Sequence, residues 1–236
     1  MQAYSVVEDP SHHVHNLVQR ALRALGQQPY GLSSVNQHER TVVAIAPQRA
    51  LSPTDAAAAV SPSNVRYKVR VARTPEQIEQ ADALVEKMYG SRGYQVQATS
   101  PDQQLMPSVC LLVYDEQQTP VGTVTAGFGN PFALRADELY QSELDALRHA
   151  GARVMEMTRF AIDSHGIHSA RIQAALFNVS YICGKLAGFN QVVIELNPRH
   201  VAYYERYFGF RQIGKERCCP RVNAPAVLLG LDFDYI

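Results

Sequence analysis

The sequence has 236 residues, a hydrophobic fraction of 46%, and 22 basic residues balanced by 22 acidic ones. This length suits one domain of about 150–200 residues with an extension, and a net charge of zero argues against general affinity for nucleic acid or an anionic membrane. No apolar run approaches the roughly 20 residues of a membrane span, and the first residues lack the order of a signal peptide, so we expect a cytoplasmic protein.

Residues 1–63 are predicted to be an appendage to the main domain. A helix is expected from Ser11 to Leu25, with Gly26 ending it. The residues after it are rich in Pro, Ser, Gln and Ala, which is typical of a linker. Within that linker, residues 41–46 have the pattern of an edge strand.

The sequence predicts no metal site. His12, His13 and His15 lie close together, but no second group of ligands lies near them. The four cysteines have no metal-ligand spacing, and we predict that they are reduced core thiols: Cys110, Cys183, Cys218 and Cys219.

The main domain is predicted to span residues 64–236 and to begin with a half-buried strand at 65–71, where apolar and basic residues alternate. Thr74 and Gln77, with Pro75 between them, then predict a capping box at the start of a helix. The buried stripe of that helix is expected to be Ile78, Ala81, Leu84, Val85 and Met88.

The rest of the domain alternates between strands and helices. A polar loop at 94–107 precedes a predicted antiparallel hairpin, 109–114 and 121–128, and a helix carrying Leu139, Tyr140, Leu144 and Leu147 inward. A central strand at 154–163 follows, and then a helix at 170–187 whose buried stripe is expected to be Ile172, Leu176, Val179, Cys183 and Leu186. The remaining elements are a strand at 191–196, a helix from Pro198 to about Phe208, and strands at 211–219 and 226–233. This order predicts an α/β (α+β) fold with a mixed, twisted central sheet flanked by helices.

The central strand carries two charged residues inside an otherwise apolar run, Glu156 and Arg159. Burying them is costly unless they are paired or used. Burial would raise the pKa of Glu156 and make it a suitable base, whereas an ion pair with Arg159 is the structural alternative. Residues three apart on a regular strand face opposite sides, so that ion pair requires a bulge.

The stretch 192–210, a strand followed by a capped helix that ends in Phe208-Gly-Phe210, resembles the GNAT acyltransferase fold. Members that use CoA carry a Gly-rich pyrophosphate loop after the central strand. Here that place reads Ser164-His-Gly-Ile-His-Ser-Ala-Arg171, with a single glycine, which disfavours a plain acetyl-CoA enzyme.

Glu156-Met-Thr-Arg-Phe-Ala-Ile-Asp163 is similar to the signature of acyl-homoserine-lactone synthases, which take acyl chains from acyl carrier protein. The paired aspartates of those enzymes are missing, since this chain has Ala98-Thr-Ser-Pro-Asp102 at that place. Residues 65–233 instead resemble the bacterial long-chain N-acyl amino acid synthases, such as those that make N-acyltyrosine. The motifs include Val121-Gly-Thr123, Asn197-Pro-Arg-His200 and Val222-Asn-Ala-Pro-Ala-Val-Leu-Leu229.

This resemblance implies an N-acyltransferase that joins a long-chain fatty acyl group to the α-amine of an amino acid. It implies Glu156 as the base and Tyr204 as a proton donor to the leaving thiolate, although the neighbouring Tyr203 and Tyr207 and a one-residue offset from the common spacing favour a packing role for Tyr204. The implied substrate-binding residues are Arg159, Thr158 and Tyr94, and the implied donor-binding residues are Phe160, Ala161, Ile162 and Arg171.

The implied co-substrate is the acyl-phosphopantetheine of acyl carrier protein, or acyl-CoA, with no tightly bound cofactor and no metal. The expected partners are acyl carrier protein and an amino acid, with no nucleic acid, and the lipid product implies peripheral membrane contact. A basic excess at 199–221 would steer an acidic carrier protein. The alternatives are a lactone-type signal synthase that uses S-adenosylmethionine and a non-catalytic acyl-binding module.

Overall fold

A computed structural model describes residues 43–44, 67–94, 107–129, 133–165 and 167–235. The strands are β1 (Val43–Ala44), β2 (Lys68–Val71), β3 (Ser108–Tyr114), β4 (Pro120–Phe128), β5 (Val154–Ile162), β6 (Gln191–Leu196), β7 (Arg211–Cys219) and β8 (Ala224–Asp232). The helices are α1 (Pro75–Gly90), α2 (Asp137–His149), α3 (Ile167–Leu186) and α4 (Val201–Phe208). Short 3-10 turns, Pro198–His200 and Phe233–Tyr235, precede α4 and follow β8.

The strands form one mixed sheet in the order β1-β2-β3-β4-β5-β6-β8-β7. β5 and β6 run parallel, and the other neighbouring pairs are antiparallel. This confirms the predicted α/β architecture, the hairpin of β3 and β4, and an edge strand within 41–46. The predicted helix at 11–25 with its three histidines, the rest of the linker and most of the polar loop after Tyr94 lie outside the described residues.

α1 begins with the predicted capping box. The Thr74 side chain accepts a hydrogen bond from the backbone N–H of Gln77, and the Gln77 side chain accepts one from the backbone N–H of Thr74. In the predicted stripe, Ala81, Leu84 and Val85 are buried and Met88 is partly buried, but Ile78 is 40% exposed. That part of the prediction is wrong because the first turn of α1 projects beyond the packed part of the helix, where residues 78–80 are all exposed.

The helices cover both faces of the sheet. α3 packs its predicted stripe, Ile172, Leu176, Val179 and Cys183, into the main core, and α4 joins that core through Tyr204 and Phe208. On the other face, α1 and α2 cover smaller clusters, in which Leu144 of α2 packs near Val154 and Val193. Leu186, predicted to be in the α3 stripe, is 43% exposed because it is the last residue of the helix.

The two central strands, β5 and β6, are paired with each other over only part of their length. β5 pairs with β4 to its last residue, Ile162, but with β6 only from Val154 to Met157. β6 continues along β8 to Leu196. The sheet therefore opens between the C-terminal ends of its two parallel strands, which is the usual ligand position in α/β sheets.

Candidate active site

A cavity of about 480 Å³ lies at this opening between β5 and β6. Its wall is built from the end of α1, both strands, α4 and the turn between β7 and β8. The ionisable side chains that line it, tyrosines aside, are Arg92, Arg135, Glu138, Arg159, Glu195, His200, Cys219 and Arg221. The aromatic ones are Tyr89, Tyr94, Phe160, Tyr203 and Tyr204.

Glu156, the predicted base, is fully buried and does not line the cavity. Its Oε2 accepts hydrogen bonds from the backbone N–H groups of Arg135 at 2.7 Å and Ala136 at 3.4 Å, just before α2. Its Oε1 has no hydrogen-bond partner among the described residues. Burial, together with the charge of Glu195, raises the pKa of Glu156 from 4.5 to about 7, against the opposing effect of those N–H groups.

Glu195 carries a second carboxylate on the same face of the sheet; this residue is only partly buried, and it does line the cavity. Glu156 pairs with Val193 across the two parallel strands, so Glu195 lies two residues further toward the opening. Its Oε2 accepts an ionic hydrogen bond from Arg221, which also pairs with Glu138 of α2. Burial raises the pKa of Glu195, and the charge of Arg221 opposes that rise.

Glu195 was not among the site residues predicted from the sequence, although the signal for it was present. Val192-Val-Ile-Glu-Leu196 places a carboxylate inside an apolar strand, which is the same pattern that singled out Glu156. Arg135 and Arg221 were also missed as site residues. They lie outside the strands, before α2 and in the turn after β7, where no local pattern distinguishes a buried arginine from a solvated one.

Arg159 lies at a bulge in β5. The register against β4 shifts between the pairs Thr125–Thr158 and Thr123–Ala161, and Arg159 has a φ of 53°. Its guanidinium donates to Asp82 of α1 at 2.5 Å and also lines the cavity. The alternative of an ion pair between Glu156 and Arg159 is therefore wrong, because the bulge is present but each side chain has a different partner.

Tyr204 lines the cavity from α4 and is packed among other rings, including Phe177, Phe208 and Phe210. Burial raises the pKa of its phenol, which therefore stays protonated at neutral pH. The side chain is positioned both to pack and to donate a hydrogen bond toward the cavity, so the geometry is compatible with both predicted roles.

Of the other predicted binding residues, Thr158, Phe160 and Tyr94 line the cavity. The hydroxyl group of Tyr94 accepts a hydrogen bond from Arg199 at 3.0 Å. Ala161, Ile162 and Arg171 do not line the cavity: Ala161 packs under α1, Ile162 packs against the main core, and Arg171 lies on α3. That the backbone groups of Ala161 and Ile162 on β5, and Arg171 near the start of α3, bind the acyl donor remains a prediction.

In the described ranges, no group of three or more His, Cys, Asp or Glu side chains could hold a metal ion. Among the same residues, no helix is both long and apolar enough to cross a membrane. The four cysteines are free, and Cys218 is exposed. The core prediction is wrong for Cys218 because adjacent residues on β7 face opposite sides, and the inward one is Cys219.

The sequence model of one protein family, described as N-acyl amino acid synthase FeeM, matches residues 80–232 of this chain. The solved structure of FeeM, an N-acyl amino acid synthase from uncultured soil microbes, is similar with a TM-score of 0.64 and 23% identity, over 74% of this chain and 94% of that one.

More distant structures share the fold. A putative N-acetyltransferase from Lactobacillus plantarum matches with a TM-score of 0.51 and 16% identity, over 71% of this chain and 98% of that one. The AHL synthase LasI matches with a TM-score of 0.50 and 13% identity, over 71% and 90%. No protein of curated function matches the sequence. These likenesses confirm the predicted GNAT fold.

Proposed function

The chain belongs to the family of the N-acyl amino acid synthase FeeM, and on that premise we propose that it transfers a long-chain fatty acyl group from acyl carrier protein to the α-amine of an amino acid. Family membership makes the chain an acyltransferase; the donor and the acceptor are the proposal. The observation that carries it is a cavity at the β5–β6 opening in which carboxylates and guanidinium groups meet.

An amino acid acceptor suits the charges of this cavity. A free amino acid brings a carboxylate and an amine on one carbon, so it needs a cation and an anion close together. Four arginines and two glutamates line the cavity, which leaves positive charge for an α-carboxylate. A guanidinium binds a carboxylate through two parallel hydrogen bonds, and Arg159 and Arg135 are the candidates for that contact.

A thioester donor suits the shape of the opening. Beyond Met157, none of the strands in the described part of the chain pairs with β5 on its β6 side, so its backbone groups can bind the amides of a pantetheine arm. Apolar side chains lie on the same cavity wall and suit the first carbons of an acyl chain, among them Val85, Met157 and Leu196. We place the reaction in the cytoplasm, where acyl carrier protein is found, and the amphiphilic product would contact a membrane surface.

The reaction needs a base for the amine and hydrogen-bond donors for developing negative charge. Two carboxylates serve the first need: Glu156, predicted from the sequence, and Glu195, which lines the cavity. Tyr204 serves the second at the leaving sulfur. A thiol has a pKa of about 8.5 and a phenol about 10, and burial raises the pKa of Tyr204 further, so this phenol stabilises the thiolate by a hydrogen bond rather than by full proton transfer.

The test is to incubate the purified full-length protein with a long-chain acyl carrier protein, or the matching acyl-CoA, and a mixture of the common amino acids. We expect masses of fatty acyl plus amino acid minus water by mass spectrometry, with more product from the carrier-bound donor. An Arg159→Gln variant should give less product at low amino acid concentration, whereas Arg153→Gln, which lies outside the cavity, should match the wild type.

Three outcomes would argue against the proposal. Lactone products formed with S-adenosylmethionine would assign the chain to the signal-synthase class. Equal product from acyl-CoA and the carrier-bound donor would remove the carrier protein from the proposal. Donor binding without any turnover by the folded wild-type protein would indicate an acyl-binding module.

A further inference from the structure

We propose that Glu195 is the carboxylate that contacts the acceptor amine and takes its proton, and that Glu156 is a positioning residue that acts through Glu195. This inference rests on the proposed function, because it assigns the base of that same reaction. It changes the assignment that the sequence suggested, in which Glu156 was the base.

Access to the cavity distinguishes the two carboxylates. Glu156 is 0% exposed and no part of it lines the cavity. Glu195 lines the cavity, and 12% of its side chain is exposed to solvent. A base must come within hydrogen-bond reach of the proton it removes, and of this pair only Glu195 has side-chain surface on the cavity.

Arg221 fixes the orientation of the Glu195 carboxylate. It binds Oε2, and Glu138 on α2 holds the same guanidinium from the other side. Oε1 of Glu195 is buried and has no hydrogen-bond partner among the described residues. A small movement of this side chain toward the cavity would present an amine with an oriented carboxylate that has one unpaired oxygen.

The other groups around Glu195 set its charge state. Glu156 faces it from β5, Arg135 from the segment before α2, Tyr140 from α2 and Cys219 from the end of β7, besides Arg221 and Glu138. Two carboxylates on neighbouring, paired strands share protons as a pair. The charge of an ionised Glu156 therefore raises the pKa of Glu195, and a proton on Glu156 removes that effect.

The chemical step balances with these groups. An acceptor that enters as an ammonium ion gives one proton to Oε1 of Glu195. The neutral amine then attacks the thioester carbonyl, a C–N bond forms, and the C–S bond breaks. A second proton from the nitrogen ends on the leaving sulfur, and Glu195 releases its proton to solvent before the next turnover.

The test compares kcat and kcat/KM for the amino acid from pH 5 to 9 in the wild type, Glu195→Gln and Glu156→Gln. Glutamine keeps the shape of each side chain and can still accept the hydrogen bonds of Arg221 or of the α2 N–H groups. Glu143→Gln is the matched control, because it removes the negative charge from a similar glutamate–arginine pair, with Arg217, outside the cavity.

We expect Glu195→Gln to lower kcat about 100-fold or more and to abolish the rise of kcat/KM with pH. Glu156→Gln should lower kcat less than about tenfold and move that rise to lower pH, since removing a neighbouring negative charge lowers the pKa of Glu195. Glu143→Gln should behave as the wild type. If Glu195→Gln does not fold, Glu195→Asp replaces it in the test. This variant should keep the rise of kcat/KM with pH but lose at least about fivefold in kcat, because the shorter side chain holds its carboxylate farther from the amine.

The inference is overturned if Glu195→Gln keeps kcat within about threefold and retains the pH dependence, if Glu195→Asp matches the wild type in kcat, or if Glu156→Gln is the variant that abolishes the pH dependence. In each of these cases the wild type still makes product, so the proposed function stands. A folded wild type that makes no N-acyl amino acid overturns the proposed function, and this assignment with it.

Discussion

Glu156 has two backbone N–H donors at the start of α2, and yet the pKa of its carboxyl group is raised to about 7. Those donors and the nearby helix N-terminus favour the charged form, whereas complete burial and the charge of Glu195 oppose it. The shift from 4.5 to about 7 corresponds to about 3 kcal/mol at 1.36 kcal/mol for each pKa unit. At this residue, desolvation outweighs hydrogen bonding.

This shift predicts how stability depends on pH. A carboxyl group whose pKa is higher in the folded state stabilises the fold below pH 4.5 and loses that contribution as pH rises through about 7. Urea unfolding should therefore show that Glu156→Gln gains stability relative to the wild type between pH 4.5 and 8, by up to about 3 kcal/mol. A difference between the two proteins that does not change with pH would contradict this account.

The bulge in β5 is the element that shapes the mouth of the cavity. One extra residue in the strand opposite β4 allows Arg159 to face Asp82 of α1, while Phe160 and Ala161 regain opposite faces of the sheet. The left-handed φ of 53° at Arg159 costs a non-glycine residue about 1–3 kcal/mol. The strained residue lies at the cavity wall, where an arginine side chain can contact a ligand and a glycine, which has no side chain, cannot.

Paired substitutions at the bulge separate the strain from the side chain. Arg159→Ala and Arg159→Gly both remove the ion pair with Asp82, but only glycine relieves the left-handed backbone. We expect Arg159→Gly to be more stable than Arg159→Ala by about 1 kcal/mol in urea unfolding, the reverse of the usual order inside a strand. Equal stability, or a more stable alanine variant, would mean that the bulge is not strained.

At the scale of the molecule, the basic excess at 199–221 divides into two parts. Arg217 is held by Glu143 and Arg221 lies in the cavity, so neither presents its charge to a partner in solution. Arg206 on α4 and Lys215 on β7 remain exposed near the β7 edge of the sheet. A smaller basic surface than predicted therefore faces an approaching carrier protein.

This surface predicts a salt-dependent interaction. Replacing Arg206 and Lys215 by glutamate should raise KM for an acyl carrier protein about tenfold at low ionic strength, and less at high salt, because the charges steer association. KM for acyl-CoA, which presents no protein surface, should change less. Lys68→Glu on β2, near the opposite edge of the sheet, is the control. If Lys68→Glu raised KM for the carrier protein as much as the replacement of Arg206 and Lys215 does, a localised docking surface would be excluded.

The sequence alone determined the elements and their order, because local physics specifies them. The capping box at Thr74, the hairpin of β3 and β4, and most of the stripe of α3 are readable from residue spacing and agree with the structure. The family motif at 156–163 likewise placed the centre of the sheet and the acyltransferase fold. Errors fell at ends of helices, such as Ile78 and Leu186, where a stripe continues after its packing partner has ended.

Only the tertiary structure decided which charged groups meet. Glu156, Glu195 and Arg221 come from three separate segments, and their proximity depends on the parallel pairing of β5 with β6 and on the turn after β7. The bulge at Arg159 depends on a register shift of β5 against β4, and because of it Arg159 and Glu156 have different partners. Pairing between residues far apart in the chain produces no local spacing pattern. The sequence could therefore indicate that a carboxylate is buried in the sheet, but not which carboxylate faces the cavity.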